Sequence, residues 1–134
     1  MPRNGRKIEF QRGDTFSHVF YPRLGDLTAI TDSWFTVKAD HTDEDTAAMI
    51  QIQQTVGLLY INGEAATVAG NGSITLTNAA LGIVTVALSA DETVKLTSTT
   101  GRWFYDFQTI SPAGIVTEIT GEMNVTGDIT RAIT

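Results

Sequence analysis

Three groups of side chains in this 134-residue sequence are of types and spacings that could do chemistry. The first is an acidic stretch, Asp40, His41, Asp43, Glu44 and Asp45. Calcium takes roughly six to eight oxygen ligands, and clustered carboxylates supply them. The Asp-x-Asp-x-Asp-Gly order of a calcium loop is absent, however, so a solvated acidic loop is expected, with contact to a basic neighbour as the next option. The second group is Asp106 amid Trp103, Phe104, Tyr105 and Phe107. Apolar surroundings shift a carboxylate, and shifted carboxylates mark functional sites. No partner acid lies nearby in sequence, so Asp106 is expected to accept backbone hydrogen bonds or to pair with an arginine. The third group is aromatic: those four rings with Trp34 and Phe35. They could line a sugar groove, but the core of a β-sandwich is the expected use.

Other signals point away from catalysis. His18 and His41 are the only histidines, and neither lies beside a nucleophile. GxSxG, P-loop, HExxH and GxGxxG patterns are absent. With no cysteine, disulfides and thiolate metal sites are excluded. We therefore expect no enzyme activity, no catalytic residue, no cofactor, no metal and no small-molecule substrate. Arg12-Gly13-Asp14 is the integrin tripeptide, but a turn between two strands explains it better. Gly13 is expected at positive φ, with Asp14 capping the backbone of Thr15 and Phe16. Asn71-Gly72-Ser73 and Asn124-Val125-Thr126 match glycosylation sequons, which mean nothing without secretion.

Charge narrows the partners. Nine basic and fifteen acidic residues give a net charge of -6, which argues against nucleic acid as the main partner. Arg3, Arg6 and Lys7 form a local basic exception, either a solvated terminus or an arm that lies along an acidic neighbour. No apolar segment follows the charged start, and the weakly polar run 79–90 is far short of a membrane span. A soluble cytoplasmic product with no membrane partner is expected.

The elements that must position these residues are strands. Thr is frequent, at 21 residues, and β-branched side chains favour pleated sheet. Period-two alternation marks strands over 6–11, 15–21, 31–39, 49–53, 73–77, 83–88 and 102–111, with a return over 115–125 and a short closing strand over 127–131. Asn62-Gly63 between 58–61 and 65–69 is a hairpin signal that demands positive φ at both residues. One helical turn is expected near 46–48. A short helix after Ser89 is expected to use a capping box with Glu92. Gly121 marks a bulge or a close backbone approach. Seven to nine short strands with regular turns predict an antiparallel β-sandwich, with a small barrel as its rival. The division expected is an arm over 1–7, one sandwich over 8–131 and a tail over 132–134.

Three segments carry a family resemblance: IEFQRGDTF (8–16), LTAITDSWFTVKAD (27–40) and RWFYDFQTISPAGIVTEITGEMNVTGDITR (102–131). Together they resemble the immunoglobulin-like N-terminal domain of tailed-phage baseplate upper proteins and related small virion proteins. The resemblance implies an immunoglobulin-like sandwich with a structural role in a phage particle: capsid decoration, neck, tail or baseplate. It supplies no catalytic residues. The chain ends at Thr134, where multi-domain baseplate proteins continue. The partners implied are other virion proteins and copies of itself, and the location is the virion, after synthesis in the bacterial cytoplasm. Contacts are expected from Arg3, Arg6, Lys7, Asp43, Glu44, Asp45 and Arg131. Gly13, Asp14, Trp34, Trp103, Tyr105 and Asp106 are expected to be turn and core residues. The alternative function is a carbohydrate-binding sandwich that attaches through exposed aromatics.

Overall fold

A computed structural model describes residues 3–20, 24–40, 42–96 and 102–126. Among these, the chain forms eleven strands: β1 (Arg3–Asn4), β2 (Ile8–Gln11), β3 (Phe16–Val19), β4 (Asp32–Lys38), β5 (Ile50–Gln53), β6 (Gly57–Ile61), β7 (Glu64–Ala65), β8 (Gly72–Asn78), β9 (Ile83–Leu88), β10 (Trp103–Ser111) and β11 (Gly114–Thr126). Two of them, β1 and β7, are only two residues long, so nine are of ordinary length. The predicted closing strand over 127–131 lies outside the described residues.

The strands form two sheets. The larger runs β1-β11-β10-β4-β5-β6-β7, with β2 also on β11; the smaller runs β3-β9-β8. Strand β8 packs against β4, β5 and β6, which closes the sandwich. The rival barrel reading is thereby removed. Alternation places Phe35 and Val37 of β4, Ile50 and Ile52 of β5, and Trp103, Tyr105 and Phe107 of β10 in the interior. Val84, Val86 and Leu88 of β9 meet them from the other sheet. Phe20 is the plug between the layers. Its ring centroid lies 5.4 Å from Phe107, 5.9 Å from Phe35 and 6.0 Å from Tyr105. Burying each such ring contributes roughly 1.5–3 kcal/mol.

The turns follow their chemistry. Asn62 and Gly63 take φ of 53° and 77°, as the hairpin signal requires. Gly13 has φ of 89°. Asp14, however, does not cap the next residues with its side chain. Its backbone oxygen accepts from Thr93 Oγ1 at 2.8 Å, while Gly13 N–H donates to the same hydroxyl at 3.1 Å. The tripeptide is therefore pinned to the short helix α1 (Ala90–Thr93).

Two expectations change here. Ser89 does precede α1, but its hydroxyl makes no capping bond. Glu92 instead accepts from Asn71 Nδ2 at 2.6 Å and pairs with Lys95 at 2.8 Å. A buried carboxylate gains more from a direct donor and a cation than from one capping amide. The segment over 3–7 is not a free arm either. Arg3 and Asn4 pair in parallel with Ile119 and Thr120, Gly5 N–H donates to Thr120 O at 2.6 Å, and Tyr105 Oη donates to Arg6 O at 2.7 Å. The edge of β11 recruits this segment because its backbone groups would otherwise lack partners.

Candidate functional site

The pairing β11-β10-β4-β5 decides which side chains share the outer face of the large sheet. Asp106 stands opposite Thr120 on one side and Thr36 on the other, and Thr36 opposite Gln51. The next row brings Thr117, Gln108, Trp34 and Gln53 together. A third row holds Glu122, Phe104 and Lys38. The face is thus polar along its middle, with one aromatic ring at each end.

Trp34 is the first correction. It is half-buried on this outer face, not in the core. The outward positions of β4 alternate with Phe35 and Val37, which fill the interior, so Trp34 has no room inside. Phe104 shares this fate, whereas Trp103, Tyr105, Phe107 and Phe35 are core residues. Asp106 is the second correction. No backbone donor and no arginine among the described residues meets its carboxylate. Burial pushes its pKa up to about 6. Lys38 opposes that rise and the Asp45 carboxylate adds to it.

The acidic loop contributes one residue to this face. Asp45 starts a 3-10 turn (Asp45–Ala47) and pairs with Lys38 Nζ at 2.8 Å. That bond, with help from Gln51, holds the Asp45 carboxyl below its ordinary range. Gln51 in turn donates to Thr36 Oγ1 at 3.2 Å, and Gln108 to Thr117 Oγ1 at 3.2 Å. Asp40 and Asp43 are used locally. Asp40 Oδ1 accepts from Thr42 N–H and Oγ1 at 2.9 Å, and Asp43 Oδ2 accepts from Asp40 N–H at 3.2 Å. No group of three metal-ligating side chains occurs among the described residues. Glu44 is exposed, and His41 lies outside the described residues.

The basic segment and the acidic loop do not form one site. Two strands, β11 and β10, separate β1 from β4. The backbone of Arg3 is paired, Arg6 is exposed, and Lys7 Nζ lies 3.5 Å from Glu9. Arg131 lies outside the described residues. His18 is half-buried with its ring edge-on to Phe20 at 4.9 Å. Burial and then Arg6 lower its pKa. No nucleophile joins it among the described residues.

Tyr105 shows how tightly the inner face is set. Burial raises its phenol to about 12. Its ring stands between two glycines. A Cβ at Gly121 would lie 2.6 Å from the ring, and one at Gly5 2.0 Å from the hydroxyl. Gly121 therefore serves close approach. The bulge falls three residues earlier, where the register shifts between Phe107 and Gln108 and β11 carries Glu118 as its extra residue.

What the sequence did not reveal is that Thr36, Lys38, Gln51 and Gln108 meet around Asp106. The alternation was visible within β4 and within β10. Their adjacency was not, because 64 residues separate Lys38 from Arg102, where the expected strand begins.

No family model matches this chain, and no curated protein does. A likeness appears among solved structures. The structure of the NK cell receptor NKp44, described as a triggering partner in natural cytotoxicity, aligns over 92% of this chain and 99% of its own, with a TM-score of 0.50 and 8% identity. At that identity the likeness is one of fold alone. The chain is an immunoglobulin-like β-sandwich of the variable-domain type.

Proposed function

We propose that the chain is a structural component of a tailed-phage virion, acting through assembly contacts with other virion proteins and with copies of itself. The observation that supports this is the placement of the three segments that carry the phage resemblance. Residues 8–16 supply β2 and the start of β3, residues 27–40 supply β4, and residues 102–131 supply the β10–β11 hairpin. Strands β2, β11, β10 and β4 are neighbours in one sheet. Segments far apart in sequence thus lie side by side in one sheet.

The contact chemistry favours the end of that hairpin. Ile115 and Val116 are 67% and 50% exposed, the first of them the most exposed large apolar side chain among the described residues. They lie on the stretch of β11 before Ile119, where neither β1 nor β2 pairs. Small contacts of this kind hold when many copies repeat them.

The test is immunogold labelling of particles from the source lysate with an antibody to this chain, together with a Val116→Asp variant. Label at one fixed position on intact particles, reduced several-fold in the variant, supports the proposal. Label confined to the particle-free fraction defeats it.

A further inference from the structure

Three concavities that share lining residues lie side by side across the outer face of the large sheet. One of about 410 Å3 is lined by Lys7, Phe104, Thr120 and Glu122 among others. A smaller one of about 100 Å3 shares Phe104 and adds Thr36, Lys38 and Asp106. The last, about 320 Å3, shares Thr36, Lys38 and Asp106 and ends at Trp34, Gln108 and Ile115. Together they make a trough across β11, β10 and β4. We propose that this trough binds a neutral oligosaccharide, which lies between Phe104 and Trp34 with its hydroxyls on Asp106, Gln108 and Lys38.

The lining selects this ligand class. Sugar rings present an apolar C–H face and a rim of hydroxyls that both donate and accept. The trough offers the complement: half-buried rings at its two ends and a mixed polar floor. The indole N–H of Trp34 and the Asp106 carboxylate have no hydrogen-bond partner among the described residues. One is a donor and the other an acceptor, so a hydroxyl ligand satisfies both. Lys38 pairs with Phe104 across the strands and lies four residues from Trp34 along β4. At ~3.4 Å per residue that sets the rings about 14 Å apart, the reach of a short chain of sugars and not of one.

Other classes fit less well. Asp106, Asp45 and Glu122 repel the phosphates of a nucleic acid. A flat apolar partner would strip water from Asp106 and Lys38 without replacing their hydrogen bonds, which costs free energy. The inference does not depend on the assembly role, since neither Ile115 nor Val116 supplies its polar contacts.

The experiment uses the intact chain on an array of neutral oligosaccharides four to six units long, covering glucans, mannans, xylans, galactans and chitin fragments. Binding is then titrated by tryptophan fluorescence. Trp103 is 3% exposed, so a shift reports Trp34. We expect binding by at least one class, weakened tenfold or more in Trp34→Ala and several-fold in Gln108→Ala. Circular dichroism checks that Trp34→Ala is folded; if it is not, Gln108→Ala alone decides. The proposal is overturned if no oligosaccharide on the array binds, or if affinity is unchanged in the folded variants. It is equally overturned if extended peptides, and no sugar, produce the Trp34-dependent shift.

Discussion

The two faces of the large sheet use the same strands to opposite ends. On β10 the inward residues Trp103, Tyr105 and Phe107 are all buried. The outward residues Phe104, Asp106 and Gln108 are half-buried and surround a trough. Inside, every side chain is held by its neighbours, and shape decides what is tolerated. Outside, groups retain unmet hydrogen-bonding capacity, and charge decides. Substitutions on the two faces should therefore differ in size and in their dependence on pH.

The largest effect is expected inside. Phe107 is fully buried against Phe20. Phe107→Ala should cost about 3–5 kcal/mol by lost transfer energy and the cavity left behind. Urea denaturation checks this. A loss near 1 kcal/mol would mean that the core repacks freely and that the contrast between the faces is overstated.

The next effect tests where the inner face ends. Removing residues 1–7 deletes the Gly5–Thr120 and Tyr105–Arg6 hydrogen bonds and uncovers Ile119, which is 0% exposed. An arm over 1–7, as the sequence reading divides the chain, would be removable at no cost to the fold. The structure instead sets a cost of about 2–3 kcal/mol, from two hydrogen bonds at roughly 1 kcal/mol each plus apolar exposure. Thermal unfolding of the truncated chain at pH 7 measures it. Gly121→Ala follows at about 1–3 kcal/mol, since its methyl would press on a Tyr105 ring that cannot retreat. A stability equal to wild type would show that the ring can swing away.

These cases show what the sequence made legible. Period-two alternation sorted the residues of β4, β9 and β10 into two faces, because burial imposes the same parity along a whole strand. Asn62-Gly63 and Gly13 were legible because positive φ restricts residue choice so strongly. The anchoring of residues 3–7 was not, since it depends on an edge of β11 that only the assembled sheet creates. Trp34 was misplaced because an aromatic residue in a strand more often faces the core, and parity alone does not say which side is inner. The surroundings of Asp106 were hidden for a related reason. They arise from β4 and β5, which reach β10 through pairings that no local signal encodes.

The smallest effect is expected outside, and its sign depends on pH. Asp106 has a carboxyl pKa near 6 in the folded chain against an ordinary 3.8. The folded state therefore binds this proton more tightly than the unfolded chain does. Its stabilising contribution is complete below about pH 3.8 and is lost as pH rises through about 6. Asp106→Asn keeps the position uncharged at every pH. Relative to wild type, the variant should gain about 1 kcal/mol at pH 8, an amount discounted because water still reaches this side chain. At pH 3.5 it should gain nothing. Asp32, whose carboxyl lies below the ordinary range, weakens both proteins alike in acid and cancels in the difference. Urea titrations of both proteins at the two pH values decide the matter. A gain that persists at pH 3.5 would assign the effect to packing and erase the distinction between the two faces. A loss at pH 8 would mean that the ionised carboxylate is already well paired with Lys38, leaving no unmet acceptor for a ligand to use.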